Sequence, residues 1–114
     1  MNISNPALLW SEAVFQSHVV NLARQLGYSQ IYHTHDSRRS APGFPDLVMV
    51  NSKAGRVLFV ELKTQSGKVR PEQELWINAL RAAGQFAEVW RPGDWVAGRV
   101  LNALSGKAVQ RARA

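Results

Sequence analysis

Two acidic residues and a lysine could do chemistry together in this chain. Asp46 ends the run Gly43-Phe44-Pro45-Asp46, and Glu61-Leu62-Lys63 follows fifteen residues later. Asp46 leads into the strand-forming residues Leu47-Val48-Met49-Val50, and Glu61 and Lys63 close Arg56-Val57-Leu58-Phe59-Val60. Side chains alternate faces along a strand, so Glu61 and Lys63 share one face and Leu62 is buried on the other. If the two strands pair as a hairpin, Asp46 approaches Glu61, and two carboxylates and an ammonium share a small volume. Such carboxylates repel and resist ionisation unless a cation lies between them. Hard divalent cations take oxygen ligands from one or two carboxylates plus phosphate and water, so the trio reads as a metal site for phosphodiester chemistry. The bland alternative is a solvated salt bridge on a two-stranded ribbon, worth little. Three features favour the sharper reading: a Pro-Asp after a glycine turn, Glu12 in the preceding helix and Gln73 in the following one.

The elements that must position these residues can be read along the chain. A first helix runs from Ser11 or Glu12 to about Leu26, with Ser11 as N-cap and Gly27 as stop. Val14, Val19, Leu22 and Leu26 form its apolar face, with Phe15 and Ala23 on the flank. Glu12 lies in the first turn, where a negative charge meets the positive end of the helix dipole. A short strand at about Gln30 to His35 is followed by a loop from Asp36 to Gly43. In that loop Arg38 and Arg39 suit phosphate contact. His33 and His35 share a strand face. The nearby carboxylates suit a hard cation better than a transition metal, so His35 is read as a strand-edge residue near a DNA groove, with a simple surface histidine as the alternative.

The hairpin turn Asn51-Ser52-Lys53-Ala54-Gly55 joins the two site strands. A loop from Thr64 to Arg70 follows, and Pro71 opens a helix that ends at Gly84. Leu75, Trp76, Ala79, Leu80 and Ala83 make the apolar side of that helix. Lys68 and Arg70, just before it, are placed to grip a phosphate at a helix N-terminus. Phe86-Ala87-Glu88-Val89-Trp90 reads as a further strand, reached through a crossover. Asp94 caps a last short helix, Trp95 to Leu104, and a basic tail covers about residues 105–114. Trp76, Trp90 and Trp95 are read as core or interface residues before base-stacking platforms.

Taken together, Glu12, Pro45-Asp46, Glu61-x-Lys63 and Gln73 resemble the PD-(D/E)xK nuclease superfamily, and within it the VRR-NUC domain. The matching stretches are Gly43-Phe44-Pro45-Asp46-Leu47-Val48, Phe59-Val60-Glu61-Leu62-Lys63 and Val69-Arg70-Pro71-Glu72-Gln73. The likeness covers roughly residues 8 to 92. One departure is Pro71 after Val69-Arg70, where the family name implies a second arginine. The resemblance implies an α/β fold with a restriction-endonuclease-like core. Its central mixed β-sheet is flanked by helices in the order αβββαβ, and a short C-terminal helix is added. Asp46 and Glu61 would hold Mg²⁺ or Mn²⁺, with Glu12 as a third carboxylate and the Leu62 carbonyl completing the set. Lys63 would orient the attacking water and stabilise developing charge. Its acidic neighbours favour that role over simple proton abstraction. Gln73 would complete the site by binding the water, the phosphate or Lys63. Small stand-alone members look like phage or bacterial proteins and are associated with branched or flapped DNA.

Composition agrees with this expectation. The 114 residues suffice for one domain, residues 1–114, and a modest core. The formal charge is +6, from 14 Lys and Arg against 8 Asp and Glu, which favours polyphosphate partners. There is no cysteine, so disulfides, thiolate metal sites and thiol nucleophiles are excluded. No apolar run approaches the ~20 residues that span a bilayer, and the N-terminus lacks the features of a secretion signal. A cytoplasmic protein without membrane partner or small-molecule cofactor is expected. No GxSxG or GxxxxGK[ST] motif occurs. A glycosidase pair of Asp46 and Glu61 fits poorly beside Lys63. The leading expectation is a metal-dependent endonuclease that cuts Holliday junctions or other branched DNA as a homodimer. Exposed Leu8, Leu9 and Trp10 would help form the dimer. The alternatives are a non-catalytic DNA-binding module of the same fold, or a sequence-specific restriction-type endonuclease.

Overall fold

A computed structural model describes residues 5–34 and 41–106. A 3-10 helix, Pro6–Leu9, leads into helix α1, Glu12–Gln25. Strands β1, Gln30–His33, β2, Leu47–Asn51, and β3, Arg56–Leu62, follow. Then come α2, Pro71–Ala82, β4, Phe86–Trp90, α3, Pro92–Val96, and α4, Arg99–Leu104. The four strands form one mixed sheet in the order β1-β2-β3-β4. The first three are antiparallel and β4 runs parallel to β3, as a crossover through α2 requires. The αβββαβ order expected from the residues is the order found.

One face of the sheet makes the core. Leu47 and Met49 of β2, Leu58, Val60 and Leu62 of β3, and Trp90 of β4 are buried there. They cluster with Phe15, Val19 and Ala23 of α1 and with Val100, Ala103 and Leu104 of α4. Fully burying a side chain such as Phe15 or Leu58 stabilises the fold by about 1.5–3 kcal/mol relative to exposure. Helix α2 covers the β4 side of the opposite face, where Ile77 and Gln73 are buried.

Helix boundaries follow their caps. The Ser11 hydroxyl accepts from the Val14 N–H at 3.2 Å and starts α1. Gly27, at φ 100°, ends it. The apolar stripe of α1 is rotated from the expected one. Phe15, Val19 and Ala23 point to the core, and Val14 is 44 % exposed. Positions 15, 19 and 23 are spaced by four, so one uninterrupted line of side chains meets the sheet. Helix α2 differs similarly. Leu75, Ala79 and Ala83 face solvent, because the helix turns Gln73 and Ile77, four apart, toward the sheet.

The final helix is two helices. Gly98, at φ 85°, breaks it between α3 and α4. Asp94 is not the residue before a helix but the third residue of α3, and its carboxylate accepts from the Arg91 N–H at 2.8 Å. Arg56, at the start of β3, holds the end of α4 by donating to the carbonyls of Leu104 at 2.9 Å and Ala103 at 2.7 Å. A cation at a helix C-terminus also suits the dipole. Among the described residues no helix is long and apolar enough to cross a membrane.

Candidate active site

The carboxylate pair is assembled by strand register. Leu47 pairs with Val60, so one residue further along each strand Asp46 stands opposite Glu61. Two backbone bonds extend the sheet past its formal ends. The Thr34 N–H donates to the Asp46 carbonyl at 2.8 Å, and the Lys63 N–H donates to the Trp90 carbonyl at 3.0 Å. The Leu62 N–H donates to Asp46 Oδ2 at 2.8 Å, so β3 itself holds the aspartate. The N–H and C=O of one strand residue face the same neighbour, which directs the Leu62 carbonyl to the same side. Its side chain is buried on the core face.

Helix α2 is clamped onto this pair. Gly43 adopts φ +84°, and a Cβ there would lie 2.4 Å from the Glu72 carbonyl oxygen and 2.9 Å from the Gln73 nitrogen. Glycine is therefore required where the turn before Asp46 meets the first turn of α2. Gln73 Oε1 accepts from the Arg70 N–H at 2.8 Å, and Nε2 donates to Glu61 Oε2 at 2.8 Å. This side chain satisfies a helix-terminal donor and orients a carboxylate at once. The partner this amide meets in the structure is Glu61.

Glu61 is 2 % exposed, Lys63 7 % and Gln73 5 %. Lys63 Nζ lies 3.9 Å from Glu61 Oε2. Burial pushes the Glu61 carboxyl up to about 8. The charge of Asp46 adds to that shift and Lys63 opposes it. A hydrogen bond to Asp46 that needs a shared proton adds less, and the charge of Glu12 least. Apart from a proton shared with Asp46, no donor reaches Glu61 Oε1, which is buried. A buried carboxylate oxygen with no donor, beside a second carboxylate, is a poor place for negative charge and a good one for a cation. The donor set, carboxylate and carbonyl oxygens, fits a hard divalent ion.

The remaining candidates are less concentrated. Glu12 opens α1 and is exposed. No three His, Cys, Asp or Glu side chains among the described residues gather closely enough to hold a metal. The protein alone therefore offers a carboxylate pair, with Glu12 acting on it as a weaker charge. Lys68 is exposed. Arg70 pairs with Glu72 at 3.0 Å in an exposed contact. His35, Arg38 and Arg39 lie outside the described residues, as do residues 107–114 of the basic tail. His33 ends β1 and lies 3.4 Å from the Gln16 amide. Trp90 is core at 1 % exposure. Trp95 packs edge-on to Trp10 with ring centroids 5.7 Å apart. Trp76 donates to the Pro42 carbonyl at 3.1 Å.

Two residues near the site carry no motif. Arg91 donates to the carbonyls of Thr64 at 2.8 Å and Gly67 at 2.6 Å, and so shapes the loop after Lys63. Thr34 lies beside Asp46 in the ladder. Thr34 is distinguished from an ordinary surface residue only by the strand register, and Arg91 only by its contacts with the loop carbonyls.

Comparison with known proteins agrees with this geometry. The sequence matches the family model of the VRR-NUC domain over residues 2–92. A solved structure named as a VRR_NUC domain protein superposes with a TM-score of 0.60 at 22% sequence identity. The match covers 83% of this chain and 90% of that one, and it shows the shared fold. No curated protein matches the sequence. With most of its length matched by the family model and its fold shared, the chain belongs to the VRR-NUC domain family, a family of nucleases.

Proposed function

We propose that this protein is a divalent-metal-dependent DNA endonuclease that selects branched DNA and works as a homodimer. The observation that carries the proposal is the buried Glu61 carboxylate. It adjoins Asp46, has one oxygen without a donor and lies 3.9 Å from the Lys63 ammonium. Burying such a group costs stability unless it is paired, hydrogen-bonded or coordinated to a cation.

Asp46 and Glu61 would hold Mg²⁺ or Mn²⁺, with the Leu62 carbonyl and, directly or through water, Glu12. When bound, the cation activates water and polarises the phosphoryl oxygen. The chain's own groups do the rest. Gln73 fixes the Glu61 carboxylate from one side, and the Leu62 N–H fixes Asp46 from the other. Lys63 orients the attacking water and places a positive charge where negative charge develops. Lys68 and Arg70, before the N-terminus of α2, hold a flanking phosphate. The whole acts as one nuclease domain with its core at residues 8–92.

A domain this small has little surface for reading a long sequence, so recognition rests on the shape and deformability of the DNA. One site cuts one strand, and paired cuts across a junction need a symmetric dimer. Leu9, 85 % exposed, is available for such an interface, with Leu8 beside it. Trp10 is already engaged, stacked on His18 at 4.1 Å.

The test is cleavage of labelled linear duplex, flap and four-way-junction DNA in Mg²⁺ or Mn²⁺, with EDTA as control. Metal-dependent cutting of the junction in preference to linear duplex is expected, with paired incisions in one encounter. Asp46→Ala and Lys63→Ala should each reduce the rate by at least 100-fold, roughly the loss seen when one charge-stabilising group is removed from an active site. Binding without cutting under either metal would leave a DNA-binding module. A single preferred duplex sequence would indicate a restriction-type enzyme.

A further inference from the structure

Among the described residues, two buried side-chain polar atoms have no hydrogen-bond partner: Glu61 Oε1 and Thr34 Oγ1. Both belong to one row across the sheet. Tyr32 pairs with Val48, and Val48 with Phe59. Two residues along each strand, the same face carries Thr34, Asp46 and Glu61. The bond from the Thr34 N–H to the Asp46 carbonyl at 2.8 Å confirms that the row continues. Directly opposed residues have Cβ atoms about 4.5–5.5 Å apart, so the Thr34 hydroxyl flanks Asp46 on the side away from Glu61. Buried hydroxyls nearly always find a partner. Two orphans on either side of one carboxylate point to a single missing ligand.

That ligand is larger than an ion. Neighbouring strands are about 4.8 Å apart, so Thr34 and Glu61 are separated by roughly 10 Å of sheet. A hard cation with bonds of about 2–2.6 Å bridges the adjacent pair Asp46 and Glu61, but does not also reach the third strand. A phosphate beside that cation does. We propose that Thr34 is a substrate-binding residue whose hydroxyl donates to a non-bridging oxygen of the DNA phosphate presented to Asp46 and Glu61. This rests on the nuclease reading above. A hydroxyl suits the role because it adds a donor without adding charge next to two carboxylates.

The test compares Thr34→Val, which keeps the β-branched shape and removes the hydroxyl, with Thr34→Ser, which keeps the hydroxyl. Four quantities are measured: the Tm of the metal-free protein, the Kd for Mn²⁺ without DNA, and kcat and KM for junction cleavage in Mg²⁺. Thr34→Val should raise the metal-free Tm, because an unpartnered buried hydroxyl is removed. It should leave the Mn²⁺ Kd within twofold and lower kcat/KM about tenfold, a factor that corresponds to one hydrogen bond. Thr34→Ser should restore most of kcat/KM. Unchanged kcat/KM in Thr34→Val, with the wild type active, overturns the assignment while leaving the nuclease reading intact. A weakened Mn²⁺ Kd overturns it too, because the hydroxyl would then serve the cation and not the phosphate. A lowered Tm marks a structural hydroxyl and has the same effect. A wild-type protein that neither binds Mn²⁺ nor cuts removes the nuclease reading and this inference with it.

Discussion

Glu61 is where burial and charge conflict most. Its carboxyl has an ordinary value of 4.5 and is pushed up to about 8 by burial and then by Asp46. The folded metal-free protein therefore keeps a proton on Glu61 that the unfolded chain has already lost. The stability from that proton is complete below about pH 4.5 and disappears as the pH rises through about 8. Thermal unfolding in EDTA should show Tm falling between these limits. Glu61→Gln carries no titrating proton at this position, so its Tm should be flatter over the same window. Added Mg²⁺ should reverse the wild-type slope, because a cation binding the ionised pair competes with the proton. A wild-type slope in EDTA no steeper than that of Glu61→Gln would show that Glu61 is not the titrating group.

The residue types of this cluster are legible in the sequence, because alternation puts Glu61 and Lys63 on one face and Leu62 on the other. The unpaired oxygens are not. They depend on which residues of β1, β2 and β3 face each other, and pattern alone leaves register open to a slip of one residue that would reverse every face.

At the scale of elements, the loop between β3 and α2 carries the site's organisation. It must bring Lys63 and Gln73 to the same carboxylate, yet it contains exposed residues such as Gln65 and Ser66 and has no core of its own. Arg91, just after β4, supplies the anchor. Its guanidinium donates to the carbonyls of Thr64 and Gly67, and Gln65 Oε1 accepts from the Gly93 N–H at 2.7 Å. Arg91→Ala removes charge-assisted donors worth about 1.5–3 kcal/mol each when lost from a protected setting, and less where water replaces them. Tm should drop and amide exchange should accelerate over residues 64–70, with β1 and β2 little changed. Exchange in that loop equal to wild type would show that the loop is held by other contacts.

Strand and helix order were readable because short, continuous runs of strand-forming apolar residues at 47–50 and 57–60, separated by a glycine-containing turn, stand apart from the helical spacing at 11–26 and 71–83. Which side of each helix faces in was harder to read. In α2 a glutamine takes a buried position because Glu61 receives its amide, and a hydrophobic-periodicity argument counts that position as polar surface. The break at Gly98 was likewise hidden, since an isolated glycine within a helical pattern is often tolerated.

At the scale of the molecule, a net charge of +6 lies around a site that holds two carboxylates. Affinity for DNA should come mainly from phosphate contacts distributed over the basic surface, and, under the branched-DNA function proposed above, selectivity from where a branch lets a strand reach the carboxylates. The two contributions can be separated by salt. Binding that neutralises Z phosphates gives a slope of log K against log salt near −0.9Z for duplex DNA. Lys68 is exposed and stands three residues before α2. Lys68→Ala should therefore make the slope shallower by about 1 and weaken duplex, flap and junction by similar factors, which leaves the ratio between substrates unchanged. Arg70 should matter less, because its contact with Glu72 already offsets its charge at the surface. Anisotropy titrations from low to physiological salt with all three DNAs measure both slope and ratio. A ratio that changed with Lys68 would mean that this lysine contacts the branch itself, and shape selection would then reside in the loop before α2.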